Sequence, residues 1–404
     1  MENDTKLTVK QNKASPPQPQ LTKLSAKPRL TTAKTPSMRS TKINRSSKNK
    51  TITNSKEKKR KKDNKTQKPS EKKKVIKPTH FPYFKDNYCP PECACYGRVV
   101  QCSDKGVDKV PYGIPYNARY ILLMNNHINS IQQDLLNEYV TLEFLVLSNN
   151  RLTDGAIERA FEGVPALKRL YLDNNVLDSV PTDLPVSLEE LRLDNNRLSV
   201  MSEAAWARCP GLLVLSLSYN NMSSNRLTNK GLLRDSLLNA THLESLNLEG
   251  NKLKQVPRHL PRSLKTLNLE GNLISSIKKA VFRTLKNLEH LGLARNKIFK
   301  VAPGAFRTLP VLHQLDLCHN TLRQVPRQLP AALHSVVLTH NKIQSVPRDA
   351  FCWGNKSLSL SGLVRVQLEH NLIDMGKLDA QAFRCLRGFQ VVLFFHHNGN
   401  FRWV

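Results

Sequence analysis

Apolar and polar residues follow a fixed order along this chain and close each time on an asparagine, in the pattern L-x-x-L-x-L-x-x-N-x-L. Clear copies are LEFLVLSNNRL (Leu142 to Leu152), LKRLYLDNNVL (Leu167 to Leu177), LEELRLDNNRL (Leu188 to Leu198), LESLNLEGNKL (Leu243 to Leu253) and LHQLDLCHNTL (Leu312 to Leu322). The asparagine recurs as Asn126, Asn150, Asn175, Asn196, Asn220, Asn251, Asn272, Asn296, Asn320, Asn341 and Asn371. The spacings are 24, 25, 21, 24, 31, 21, 24, 24, 21 and 30 residues. The segment x-L-x-L-x has a period of two. That is the pattern of a short strand whose leucines face a core and whose intervening residues face away. One copy cannot cover its own leucines, but stacked copies bury them continuously. The short copies carry V-P and L-P pairs, as in SVPTDLPVSL (Ser179 to Leu188). Proline there predicts extended backbone and little helix. The 24-residue copies carry A-F-x-x-L instead, as in GAFRTLPVL (Gly304 to Leu312), which reads as a short helical turn.

This periodicity is that of leucine-rich repeats. The expected fold is a leucine-rich-repeat solenoid, an α/β horseshoe with a parallel sheet on its concave side and little helix. The fixed asparagine stands where the chain leaves the strand. Its amide can donate to and accept from backbone groups of neighbouring turns that would be costly to bury unpaired. Solenoids of this kind present binding surfaces far more often than they catalyse. The sequence has no nucleophile elbow, metal-ligand helix or phosphate loop, so neither an enzyme nor a cofactor is expected.

Charge divides the chain. Of a net +30 over 404 residues, +19 falls in residues 1–88, which hold 25 Lys/Arg against 6 Asp/Glu. That segment lacks the leucine register and cannot bury enough apolar surface to fold, so a disordered basic tail is expected. A cysteine-rich cap at 89–111 follows, then repeats over 112–395 with a lengthened one around 341–385, and a short tail at 396–404. Within the basic tail, Lys56, Lys58, Lys59, Arg60, Lys61 and Lys62 form one run, and Lys72, Lys73 and Lys74 another. Such runs hold polyanions by charge and counterion release, and in a secreted protein the polyanion is heparan sulfate or another glycosaminoglycan. A nuclear-localisation or nucleic-acid arm is the competing reading and a solvated tail the plain one; no nucleic-acid partner is expected. No run of about 18 apolar residues exists, so no membrane span is expected.

Eight cysteines are present. Cys89, Cys93, Cys95 and Cys102 form C-x3-C-x-C-x6-C just before the first repeat, and Cys352 and Cys385 flank the last. The end turns of a solenoid expose leucines, and a disulfide knot at one end with a disulfide at the other would close it. The alternative for the four-cysteine cluster is zinc, which the C-x-C spacing without a nearby histidine disfavours. Disulfides imply an oxidising compartment, hence export. The opening MENDTKLTVKQNK carries no apolar core of a secretory signal, and the knot argues for export regardless. Cys209 is expected as a buried core thiol and Cys318 as a partly exposed one at a concave position.

The cluster CPPECACYGRVVQCSDKGVDKVP (Cys89 to Pro111), the alternation of 21- and 24-residue repeats and the lengthened repeat before Asn371 resemble the small leucine-rich proteoglycans. The cysteine spacing looks like the decorin and biglycan class. The likeness spans about residues 89–395. It implies the pairs Cys89–Cys95 and Cys93–Cys102, although the sequence alone leaves three pairings open. It also implies an "ear" closed by Cys352–Cys385, collagen bound on the concave face, and dimers formed through that face. A Ser-Gly dipeptide for glycosaminoglycan attachment is missing from the tail; the only one is Ser361-Gly362, inside the repeats.

The residues between inward leucines fill the concave face. Tyr120, Leu122, Met124, Phe144 and Val146 form an apolar end, followed by Arg169, Tyr171, Asp173, Glu190, Arg192 and Asp194, and then Asn247, Glu249, Asn268, Glu270 and Asp316. Tyr171, Asp173, Glu190, Arg192 and Asp194 are expected to anchor a protein partner. His319, His340 and His370 each precede a fixed asparagine and could stack, binding zinc or titrating with pH. The plain reading is a tolerant polar position, held elsewhere by Asn149, Gly250 and Arg295. Sequons at Asn221, Asn239 and Asn355 are expected glycosylation sites. The sequence thus predicts a secreted extracellular matrix protein that binds collagen or other matrix or cell-surface proteins on its concave face and heparan sulfate through its tail. The alternative is a protein that sequesters growth factors.

Overall fold

Three-residue strands form at the x-L-x centre of each repeat, because there one apolar residue must enter the core while both neighbours stay at the surface. The computed structural model describes residues 88–199, 203–222, 237, 240–352, 360–388 and 391–394, all within the unit Pro78–Val404. Among them the strands are β1 (Ala94–Tyr96), β2 (Val99–Gln101), β3 (Tyr120–Leu122), β4 (Phe144–Val146), β5 (Arg169–Tyr171), β6 (Glu190–Arg192), β7 (Val214–Ser216) and β8 (Ser245–Asn247). The rest are β9 (Thr266–Asn268), β10 (Ser276–Ile277), β11 (His290–Gly292), β12 (Lys300–Val301), β13 (Gln314–Asp316), β14 (Ser335–Val337), β15 (Arg365–Gln367) and β16 (Val392–Leu393). One sheet holds all but β10 and β12, which pair with each other on the connector side. β1 runs antiparallel to β2, and from β2 onward each strand is parallel to the next. The register is in step, so Ile121, Leu145, Leu170, Leu191 and Leu215 stand opposite one another in turn, all buried. Burial of each such side chain contributes about 1.5–3 kcal/mol.

The asparagines form the predicted ladder. Nδ2 of Asn150 donates to Leu123 O and to Leu147 O at 3.0 Å, and its Oδ1 accepts from Ile128 N at 3.0 Å. Asn272 repeats this, with Nδ2 donating to Leu248 O at 2.9 Å and to Leu269 O at 3.1 Å, and Oδ1 accepting from Leu253 N at 3.0 Å. Asn126 to Asn341 are buried, and Asn371, at the last turn, is half-buried.

The residue before every fixed asparagine is left-handed. Asn125, Asn149, Asn174, Asn195, Tyr219, Gly250, Gly271, Arg295, His319, His340 and His370 all have φ between 51° and 66°. That turn swings the chain out of the strand while its amide still reaches the next repeat, as Asn149 N does to Asp173 O at 2.8 Å. Glycine and asparagine accept this conformation readily, whereas tyrosine, arginine and histidine are held there by the fold.

Helix is scarce: among the described residues the α-helix is α1 (Glu203–Ala207), with three short 3₁₀ turns elsewhere. The A-F-x-x-L connectors need a correction. Ala305 N bonds Ala302 O, Arg307 N bonds Gly304 O, and Leu309 N bonds Phe306 O, so the segment closes as linked four-residue turns rather than a helical turn. Gly304 takes φ +70°, which a right-handed helix forbids, while Phe306 and Leu309 are drawn into the core. Disulfides Cys89–Cys95 and Cys93–Cys102 pin the antiparallel start, leaving no thiolate there for zinc, and Cys352–Cys385 ties the last turns. Each is of a kind that typically contributes about 2–4 kcal/mol.

The exposed face of the sheet as a candidate interaction site

Because the strands are in register, side chains two apart along a strand line up as rows across the sheet. Aromatic contacts link two neighbouring rows, Tyr120 and Phe144 standing in one and Tyr171 in the next. Tyr120 meets Phe144 edge-on with ring centres 6.2 Å apart, and Phe144 meets Tyr171 edge-on at 4.8 Å. Val146 was expected among the exposed apolar residues but is covered, at 4% exposure. Its partners across the ladder, Leu122 and Tyr171, are both larger and close over it.

At Tyr171 the aromatic contacts give way to a charged cluster. The Arg192 guanidinium lies over the Tyr171 ring at 4.4 Å and donates its Nε to Glu190 Oε1 at 2.8 Å. The Tyr171 hydroxyl donates to that same oxygen at 2.9 Å, and Arg169 reaches Glu190 Oε2 at 3.5 Å. Burial and the Glu190 hydrogen bond both push the Tyr171 hydroxyl above its ordinary range. Asp173 accepts from Asp194 N at 2.9 Å and from Ser148 Oγ at 3.2 Å. Asp194 accepts from Ser216 Oγ and from Ser218 N, both at 2.6 Å. Burial raises the Asp173 carboxyl above the ordinary range, offset in part by its hydrogen bond from Asp194 N. All five residues singled out in the sequence therefore lie in one connected patch. Ser148 and Ser216, which tether the carboxylates, were missed; the signal was a small hydroxyl residue beside each acid on the sheet face.

Further along, Glu249 accepts from Tyr219 Oη at 2.6 Å and from Asn268 Nδ2 at 3.2 Å. Glu270 pairs with Arg295 at 3.3 Å, yet burial and nearby Glu249 raise its carboxyl. Asp316 Oδ1 accepts from Cys318 N at 2.9 Å. Burial, then the Asp316 hydrogen bond and charge, push the Cys318 thiol up to about 12, so this half-buried group is a poor nucleophile. Cys209 is buried with Sγ donating to Pro185 O at 3.5 Å, and burial pushes it up to about 11.

His319, His340 and His370 do stack, with successive ring centres 4.2 Å apart. Stacked rings direct their in-plane nitrogen lone pairs along parallel lines, which do not converge on one ion. Among the described residues no group of three or more His, Cys, Asp or Glu is arranged to hold a metal. Asn221 is exposed, its Oδ1 accepting from Lys252 Nζ at 2.9 Å. Asn239, Asn355 and the basic runs Lys56 to Lys62 and Lys72 to Lys74 lie outside the described residues.

The chain matches the family model for the leucine rich repeat over residues 117–177, 186–253 and 262–324, and that for the leucine rich repeat N-terminal domain over residues 88–115. It is similar to keratocan of Danio rerio, 32% identical across 59% of this chain and 68% of that one. It is similar to lumican of Coturnix japonica, 30% identical across 74% of this chain and 86% of that one. Podocan of Mus musculus is 31% identical across 73% of this chain and 47% of that one. Among solved structures, a chain in the octameric complex of Latrophilin 3 (Lec, Olf), Unc5D (Ig, Ig2, TSP1) and FLRT2 (LRR) superposes with a TM-score of 0.58 at 27% identity. That match covers 74% of this chain and 81% of the other.

Proposed function

Since the chain belongs to the small leucine-rich proteoglycan family, whose keratocan and lumican relatives are extracellular matrix proteins, we propose that it is a secreted matrix adaptor. It holds collagen or another matrix protein on the exposed sheet face and a glycosaminoglycan through the Lys56 to Lys74 runs. No helix among the described residues is long and apolar enough to cross a membrane.

The observation that carries this reading is the contact series Tyr120–Phe144–Tyr171–Arg192, which crosses from one row of the sheet to the next, half-buried aromatic rings ending in a guanidinium already oriented by Glu190. Aromatic and arginine side chains fixed before binding lose little entropy on docking and are the residues that most often anchor interfaces. The flanking carboxylates of Asp173 and Asp194 add opposite charge within the same patch, which suits a partner carrying both apolar and basic groups. Asn221 offers an exposed N-glycan acceptor.

The test is retention of the full chain on immobilised fibrillar collagen, comparing the wild type with Tyr171→Ala, Arg192→Glu and the double variant. The reading expects at least about a tenfold loss for the double variant, as for removal of a central anchor pair. Unchanged retention removes the sheet face from the collagen interface. Binding to a growth-factor panel with no binding to collagen replaces the adaptor by a sequestering protein. For the tail, Gln at Lys56, Lys58, Lys59, Arg60, Lys61, Lys62, Lys72, Lys73 and Lys74 is expected to weaken heparin binding and flatten its salt dependence.

A further inference from the structure

The connectors that lead away from the sheet are sorted by charge. Those at residues 126–141, 150–166 and 175–187 hold 7 Asp/Glu and 2 Lys/Arg. Those at residues 251–264, 272–288, 296–312 and 320–333 hold 13 Lys/Arg and no Asp or Glu. The three acids that fall between these later connectors are Glu270, Glu289 and Asp316. Glu270 and Asp316 belong to the exposed sheet face, and Glu289 immediately precedes β11. Arg327 is neutralised by Asp349 at 2.8 Å, which marks where the uncompensated stretch ends.

The cations of these connectors follow the stacking direction instead of gathering at one point. Phe282 and Phe306 stack with ring centres 5.9 Å apart, so Arg283 and Arg307, each the next residue, hold equivalent places on adjacent turns. Asn287 Nδ2 donates to Arg262 O at 3.3 Å, and Lys286 Nζ donates to Thr308 O at 3.1 Å, which knits three consecutive connectors together. Arg262, Lys279, Arg283, Lys286 and Arg307 are all exposed. Phe299 sits among them at 59% exposure, between Lys297 and Lys300, with Lys300 paired in register to Ser276.

A line of cations with no carboxylate among it suits a linear polyanion better than a single compact anion. Guanidinium groups add paired hydrogen bonds to sulfate-like oxygens, and an exposed aromatic ring offers a face on which a sugar ring can stack. We propose that the connector side of residues 251–312 is a folded binding site for a sulfated glycosaminoglycan chain, separate from the Lys56 to Lys74 runs. It shares only its ligand class with the tail assigned above, and it rests on that reading for the extracellular setting.

The experiment uses the full chain with the nine tail cations changed to Gln, so that the two sites are read apart. Into this background and into the wild type go Arg262→Glu, Lys279→Glu, Arg283→Glu and Arg307→Glu together, with heparin as the probe. The tail-neutral protein is expected to keep binding heparin. The fourfold reversal should then lower its affinity by about tenfold or more at 0.15 M salt and reduce the salt slope, since several contacts to the polyanion are lost. A milder fourfold change to Gln, and heparin protection of Lys279 and Lys286 from acylation, keep the question open to test if the reversed protein folds poorly. Loss of all heparin binding on neutralising the tail alone overturns this site while sparing the tail. Full binding by the fourfold variant, unprotected lysines, or preference for phosphatidylserine vesicles over heparin also overturns it.

Discussion

Arg192 lays its guanidinium over the Tyr171 ring at 4.4 Å while both side chains share one carboxylate oxygen of Glu190. The three side chains hold each other in place before any partner arrives. A double-mutant cycle with Tyr171→Ala and Arg192→Ala should give a coupling of about 0.5–1 kcal/mol in urea unfolding, the size of an exposed cation–π contact. Additive effects would mean that the two side chains are positioned independently.

The asparagine ladder predicts a gradient of cost. Asn272→Ala strands the Leu253 amide and removes one of the two asparagine donors from Leu248 O and from Leu269 O, in a site that is 3% exposed, and should cost about 1–3 kcal/mol. Asn371→Ala frees the Ile343 amide and Leu368 O, while Leu338 O keeps its Asn341 donor, but at a half-buried turn where water can substitute, so its cost should be smaller. Denaturant midpoints for the pair check this, and equal losses would contradict it.

Two left-handed glycines should respond unequally to a methyl group. A Cβ at Gly271 meets nothing nearer than 3.4 Å, so Gly271→Ala bears only the conformational penalty, about 1–2 kcal/mol. A Cβ at Gly250 collides with the Tyr219 ring, so Gly250→Ala should be the more damaging. Glu249 would then lose its hydrogen bond from Tyr219. Thermal unfolding of both variants decides the order.

Burial holds the Asp173 carboxyl above its ordinary range. The folded state therefore binds that proton more tightly than the unfolded chain, and stability falls as pH rises from the ordinary carboxylate value through the raised one. Asn at this position keeps an acceptor for Asp194 N and carries no charge. Asp173→Asn should thus raise Tm at pH 7, by about one degree or more, and lose the advantage near pH 3. An advantage that grows in acid would reverse the assigned direction.

The free thiols predict a quiet native protein. With Cys209 pushed up to about 11 and Cys318 to about 12, neither should react appreciably with iodoacetamide at pH 8. Unfolding without reductant should release 2 thiols, and unfolding with reductant 8. Mass spectrometry of the alkylated peptides measures both.

The strands and the ladder were legible because Leu145, Leu170 and Leu191 recur with the asparagines at a fixed offset, and burial of that period admits one arrangement. The side on which Tyr171 and Arg192 point also followed from alternation. Their contact did not, because it depends on 21 residues of chain returning to the same register one turn later, which the connector decides. The left-handed position was half hidden. Asn125, Asn149, Gly250 and Gly271 are residues that favour it, but Tyr219, Arg295 and the three stacked histidines made it look like a merely permissive polar site. The A-F-x-x-L segments misled because Gly304 and the inward pull of Phe306 outweigh local helical preference. The charge sorting of the connectors was present in the composition but became visible only once the fold divided strand residues from the rest.

Each parallel turn offers its successor the same hydrogen-bonding edge and the same row of leucines that it receives from the one before. Nothing in the repeat itself therefore says where stacking should begin. The reversal of direction at β1, fastened by Cys89–Cys95 and Cys93–Cys102, supplies that instruction, because a further parallel turn has no matching edge to join. A molecule deprived of this starter would be open to end-on growth, one copy docking onto the next as if it were another turn.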